Sequence, residues 1–158
     1  MNVTTKTGDD QTTFLLKRRP KDDLRVEVLG LTDELIAHFL LLRLEIPSVR
    51  AELQHIIQHL DDILAYMAVE GWGFNPSYIT YLEERNLERR SYYEELDHFV
   101  KAQTIAAAKC NLIRTKVRTL ERRFTTLSKV ESVDSSVLIY LNRLSDYLFI
   151  LMLALNQE

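Results

Sequence analysis

Arg114, Arg118 and Arg122 stand four residues apart. On a helix that spacing puts three guanidinium groups on one face. Like charges there repel by about 0.2–0.5 kcal/mol per pair. A stripe that works against its own helix calls for an anionic partner, and arginine is the side chain best shaped for bidentate contact with phosphate. A second segment, Tyr140 to Phe149, sets Asn142, Arg143 and Asp146 among apolar residues, where polar groups need partners. Near the N-terminus, Thr5-Lys-Thr-Gly-Asp-Asp-Gln-Thr-Thr13 offers hydroxyls, Lys6 and a turn permitted by Gly8. These are the ingredients of a phosphate-cradling loop, although no Walker A motif is present. The run Arg18-Arg-Pro-Lys-Asp-Asp23 reads either as a solvated charge run or as a segment that places Lys21 on an anion.

The elements that must position these residues are helical. Glycine and proline are scarce, with 4 and 3 copies, and act as punctuation. Residues 1–31 form a polar, basic arm. Thr32, followed by Asp33-Glu34, is expected to cap a first helix that runs to about Ile46, before Pro47. Ser48 is expected to cap a second, where Val49, Leu53, Ile56, Ile57, Leu60, Ile63, Leu64 and Met67 keep a 3.6-residue period. Gly71-Trp-Gly73 closes it, with Trp72 expected over a bundle end. Asn75-Pro76 opens a third helix. The fourth spans about Ala102 to Ser128 and the fifth about Asp134 to Asn156. No period-2 strand or hairpin signal stands out. The expectation is an all-α, five-helix bundle over 32–158 with an extended N-terminal arm over 1–31, one domain across 1–158.

Composition narrows the function. The chain has 158 residues, 46% hydrophobic and 27% charged, with a formal net charge of −3. That balance argues against a general nucleic-acid binder, so any phosphate site is a local basic cluster. Cys110 is the single cysteine, which excludes an intramolecular disulfide and suits a reducing cytoplasm. The apolar run Tyr147 to Leu155 is about half the ~20 residues a membrane span needs, and is expected to be a buried helix end. His55 and His59 share a helix face but lack a third ligand, so a packing or surface role is expected and no protein metal site.

Five blocks occur in order: Thr5-Lys-Thr-Gly-Asp9, Arg19-Pro-Lys-Asp-Asp23, Gly30-x-x-Asp33-Glu-Leu35, Arg118-x-x-Glu121-Arg122, and Tyr140-Leu-Asn-Arg-Leu-Ser-Asp-Tyr-Leu-Phe149. Together they resemble the PduO-type ATP:cob(I)alamin adenosyltransferases. The resemblance implies a homotrimer with active sites between subunits, and transfer of the 5′-deoxyadenosyl group of ATP to the cobalt of cob(I)alamin with release of triphosphate. It implies ATP with Mg2+ and cob(I)alamin as bound species, and neither nucleic acid nor membrane as partner. Thr5, Lys6, Thr7 and Gly8 would wrap the phosphates, with Thr12 or Thr13 adding a hydroxyl and Lys21 contacting them. Arg118, Glu121 and Arg122 would come from the adjacent subunit, and Asn142 would hold the nucleotide. Asp33 would pair with Arg118, and Phe99 would pack under the corrin and exclude its lower axial ligand. Arg143 and Asp146 would be structural.

The chain departs from the family pattern at several positions. Gln11 stands where the family has a glycine, Thr119 where it has a second arginine, and Asn111 where it has a histidine. The stretch Lys101 to Thr104 is one residue short. These departures leave open a second reading, a paralogue that binds corrinoid or nucleotide without turnover.

Overall fold

The computed structural model describes residues 1 and 3–157. Among them, five α-helices follow a short β-hairpin: β1 (Thr12–Leu15), β2 (Lys17–Pro20), α1 (Leu24–Glu45), α2 (Arg50–Ala68), α3 (Ser77–Glu88), α4 (Ile105–Leu127) and α5 (Ser135–Leu155). The all-α bundle expected from periodicity is present, with two differences near the N-terminus.

The first helix begins eight residues before the expected Thr32. Asp23 caps it, its carboxylate accepting the Arg25 amide at 2.9 Å. Thr32 instead lies buried inside the helix, its hydroxyl donating to the Val28 carbonyl at 2.9 Å. Gly30 does not interrupt the helix, and the arm is correspondingly shorter than 1–31. The second difference is the hairpin itself, which pairs Thr12 with Pro20 and Leu15 with Lys17. Its apex is Leu16, at φ 60°, where glycine or asparagine is the usual signal. Elsewhere the boundaries shift slightly. Pro47–Val49 forms a 3-10 turn, and α2 starts at Arg50 without a side-chain cap. Thr104 caps α4 by accepting the Ala107 amide at 3.1 Å, and its hydroxyl donates to the Leu155 carbonyl at the far end of α5.

Packing order follows the apolar stripes. α1 lies between α2 and α4, and α5 between α4 and α3. α5 is the centre: Val137, Leu141, Leu144, Leu148 and Leu151 are essentially inaccessible. By length and composition α5 could cross a membrane, with a mean hydropathy of 1.5, but 67% of that window is buried inside the bundle. It is therefore the core helix that the others surround. Cys110 is buried in the same interface, donating to the Leu148 carbonyl at 3.2 Å. Trp72 is 46% exposed rather than packed over the bundle end; Phe74, two residues on, fills that role.

An aromatic cluster seats α3. His59 on α2 stacks on Tyr78 with ring centroids 3.9 Å apart, and its Nδ1 shares a 3.2 Å hydrogen bond with the Tyr140 hydroxyl on α5. Tyr78 in turn donates to Asp62 at 2.5 Å. His59 is thus a packing residue. Among the described residues no three His, Cys, Asp or Glu side chains gather to hold a metal ion.

Candidate functional site

Three surface features hold the residues that the sequence singles out. The first is a cleft of about 420 Å³ in the N-terminal arm, lined by Thr7, Gly8, Thr12, Thr13, Phe14, Arg18 and Lys21. The loop closes on itself through backbone bonds from Gln11 to Gly8 (3.1 Å) and from Lys21 to Gln11 (2.9 Å). Thr5 and Thr7 share a 3.0 Å hydroxyl contact. Arg18 reaches back from β2 to the Thr7 carbonyl (2.6 Å) and to both Asp10 oxygens (2.8 and 2.9 Å). These bonds from Arg18, with those from Thr12, hold the Asp10 carboxyl down to about 2. Gly8 earns its place by close approach, since a Cβ there would lie 3.2 Å from Lys21 Nζ and 3.3 Å from the Thr12 carbonyl. Lys21 therefore extends over the glycine turn.

Lys6, Gln11 and Leu16 all adopt left-handed backbone, with φ of 58°, 62° and 60°. For a residue with a Cβ this costs about 1–2 kcal/mol. Gln11→Gly is expected to relieve about 1 kcal/mol of it. The Lys21 amide, which donates to the Gln11 carbonyl, should then exchange its hydrogen more slowly.

The second feature is the outer face of α4. Its basic residues divide by direction. Lys109 pairs with Glu45, Lys116 with Glu34 at 2.5 Å and Arg123 with Glu27 at 2.5 Å, all on the α1 side. Arg114, Arg118 and Arg122 have no carboxylate within ion-pair distance among the described residues, and they line a cleft with Thr115, Lys116 and Thr119. Burial and the neighbouring Arg118 charge both lower the Arg114 pKa, the expected mark of unrelieved like charge. Thr119 accepts a 3.0 Å bond from Arg122 Nη2, so the threonine at the family's second arginine position orients the arginine that remains. Across the α4–α5 pair, burial raises the Asp146 carboxyl while the charges of Arg143 and Arg118 lower it. The helices run antiparallel, so one turn further along Asn142 comes level with Arg122. Asn142 is exposed, not enclosed among the apolar residues of its helix. Arg143 points the other way, to Glu83 at 2.9 Å.

Two expected pairings are not made within one chain. Asp33 is exposed on α1 and shares its field with Asp61 on α2, whereas Arg118 faces α5. The two form no ion pair. Likewise, the arm cleft and the arginine cleft share no lining residue.

The third feature is an apolar trough. A cleft of about 520 Å³ is lined by Glu83, Asn86, Leu87, Tyr93, Arg143, Asp146, Phe149 and Ile150. It runs into a second, of about 470 Å³, that contains Phe99 and shares Tyr93 and Phe149. Phe99 is 62% exposed yet held: it stacks on Phe149 at 5.5 Å, and the Arg114 guanidinium lies 5.9 Å from its ring. Phe99 was legible from the sequence. Tyr93, Leu87 and Ile150 were not, because each looks like ordinary core until α3 and α5 are placed side by side.

Residues 3–155 match the family model described as cobalamin adenosyltransferase. The chain belongs to the cobalamin adenosyltransferase family. A corrinoid adenosyltransferase of Bacillus subtilis is 34% identical over 94% of this chain and 83% of its own length. A cobalamin adenosyltransferase of Cupriavidus metallidurans is 33% identical over 98% and 88%. Among solved structures, a phenylalanine-to-alanine variant of a PduO-type ATP:corrinoid adenosyltransferase from Lactobacillus reuteri, complexed with cobalamin and ATP, superposes with a TM-score of 0.92 at 27% identity, over 99% of this chain and 94% of that one. An arginine-to-lysine variant complexed with ATP gives 0.91 at 28% identity, over 98% and 94%.

The hairpin and the five-helix bundle are thus the adenosyltransferase architecture. The residues that the sequence singles out lie on the arm, on α1, on α4, on α5 and at Phe99 of the α3–α4 connection.

Proposed function

We propose that this chain is an ATP:cob(I)alamin adenosyltransferase, and that Thr5, Lys6, Thr7, Gly8, Thr12, Thr13 and Lys21 of the arm hold the ATP phosphates together with Arg118, Glu121, Arg122 and Asn142. The observation that carries the reading is the division of charge on α4: three arginines with no carboxylate within ion-pair distance among the described residues, beside an apolar trough that reaches Phe99, on whose ring Arg114 rests. Cobalt(I) supplies the electron pair that forms the bond to C5′. The C5′–O bond breaks, and its electrons leave on triphosphate. The leaving group carries the developing charge, so preorganised Lys and Arg groups act where charge appears. The nucleophile needs no deprotonation, so no general base is required. The protein's tasks are to align C5′ with cobalt and to keep water out. The Mg2+ that accompanies the nucleotide would be held by its phosphates and would neutralise part of their charge. Phe99, fixed by Phe149 and Arg114, would take the lower face of the corrin.

We also read the active assembly as a homotrimer with sites completed between copies. Two features support this: the arm and arginine clefts are separate in one chain, and among the described residues Asp33 and Asp61 have no cation within ion-pair distance just as the α4 stripe has no carboxylate. Asp33 of one copy would meet Arg118 of the next. A cytoplasmic location is supported by cysteine usage, a single Cys110 that can form no intramolecular disulfide.

The test is a spectrophotometric assay of cob(I)alamin with ATP, alongside calorimetry of ATP binding. Conversion to a cobalt-bound adenosyl product is expected. Binding of both ligands without conversion would overturn the transferase reading and leave a ligand-binding paralogue.

A further inference from the structure

The hairpin has little apolar grip on the bundle. Of its eight strand residues only Leu15 is buried. What joins it to the helices is a four-member charge network. Arg19 Nη1 donates to both Asp23 oxygens at 3.1 Å and to Glu131 Oε1 at 3.0 Å. Arg25 Nη1 donates to Glu131 Oε2 at 2.6 Å, and Arg25 Nε to the Met67 carbonyl at 3.0 Å. The arginine side chains are only 11% and 12% exposed. Burial pushes the Glu131 carboxyl up, but the bonds from Arg25 and Arg19 together outweigh it and leave it below its ordinary value. Glu131 lies just beyond α4, so this one carboxylate fastens β2 and the start of α1 to the end of α4, while Arg25 adds the end of α2.

Lys21 sits between two members of the network, Arg19 and Asp23, two residues from each. Its backbone is therefore fixed on both sides, and its amide is bound to the Gln11 carbonyl. A lysine is a flexible point charge; its usefulness to a triphosphate depends on where its backbone is held.

We propose that Glu131 is a positioning residue for the nucleotide: through Arg19 and Asp23 it fixes Lys21 and the Gly8 turn over the phosphates, without touching either substrate. The proposal rests on the reading that the arm holds ATP. Removing one partner of a shielded charge pair leaves the other charges uncompensated, so the arm loses its seat while the helical core is untouched.

The experiment compares Glu131→Gln, Glu131→Asp and Lys21→Ala by steady-state kinetics with each substrate varied. Expected for Glu131→Gln is a rise in KM for ATP of tenfold or more, kcat within about threefold and an unchanged KM for the corrinoid, with Glu131→Asp recovering much of the ATP affinity. An ATP KM within twofold of wild type would overturn the proposal, as would a parallel rise in both KM values. Lys21→Ala separates the two layers. If it weakens ATP and Glu131→Gln does not, only the Glu131 role falls. If Lys21→Ala has no effect on ATP, the arm reading falls and takes the proposal with it. Should Glu131→Gln fail to fold, Arg19→Gln breaks the same network from the hairpin side and is judged by the same two outcomes.

Discussion

Arg118→Ala should lower kcat/KM for ATP by about 10²–10³-fold, the roughly 2.7–4 kcal/mol lost when a preorganised donor to developing charge is removed. The same substitution should leave the fold of the single chain intact, with any loss of thermal stability confined to the Asp33–Arg118 contact proposed between copies. Both halves follow from the division on α4. Lys109, Lys116 and Arg123 are committed to Glu45, Glu34 and Glu27, so cutting any of them would break an internal pair. Arg118 has no such pair, and its charge raises the cost of ionising Arg114. Its removal relieves that repulsion, and within the single chain only the pull of its charge on the Asp146 carboxyl is lost. Arg118→Lys keeps the charge but loses the two-pronged geometry, so its activity should fall between wild type and alanine. Wild-type kcat/KM in Arg118→Ala, measured with saturating corrinoid, would remove the stripe from the reaction. Loss of helical content in the separated subunit would show that it is structural instead.

The parts of this site that sequence made legible share one property: their signal is local. The period of α2 and α5, the Asn75-Pro76 opening and the Arg118 to Arg122 spacing are all carried within a few turns. Asn75 does cap the start of α3, accepting the Ser77 amide at 3.0 Å. Local signals also misled. Thr32-Asp33-Glu34 has the composition of a helix start, but the chain is already helical at Leu24, because Asp23 offers the same cap earlier and a helical Gly30 costs only about 1 kcal/mol. The hairpin escaped notice because its strands are four residues each and mostly exposed, and its apex is Leu16 rather than a turn former. The Arg19–Glu131 link spans 112 positions, and the trough exists only once α3 lies against α5. Neither has any imprint on a local pattern. Thr119 reads in sequence as the loss of an arginine. Its bond to Arg122 becomes visible only with the helix face in view.

Acid should weaken the fold by way of His59. Burial, with the charge of His55, lowers its pKa from the model-compound 6.5 to about 4, against a smaller opposing pull from Asp62. The sign follows from which state takes the proton. Above pH 6.5 the imidazole is neutral in both states, and the full stability is present. Between 6.5 and 4 the unfolded chain binds a proton that the folded chain refuses, so stability falls with pH. The loss approaches roughly 3 kcal/mol as pH nears 4. Asp61, whose carboxyl is raised by burial and by Asp62 and Asp33, acts in the opposite sense but equally in wild type and variant. Urea unfolding of wild type and His59→Gln at pH 7.5 and 4.5 therefore isolates the histidine. The wild type should lose about 2.5 kcal/mol more than the variant over that interval, even though His59→Gln starts lower for want of the stack on Tyr78. Equal losses would mean that His59 takes its proton within the fold. The consequence reaches the site, because the His59–Tyr78–Tyr140 contacts hold α3 against α2 and α5. Glu83, Asn86 and Leu87 of that helix form one wall of the trough, so corrinoid binding should weaken in His59→Gln at neutral pH, while ATP binding on the arm stays as it was.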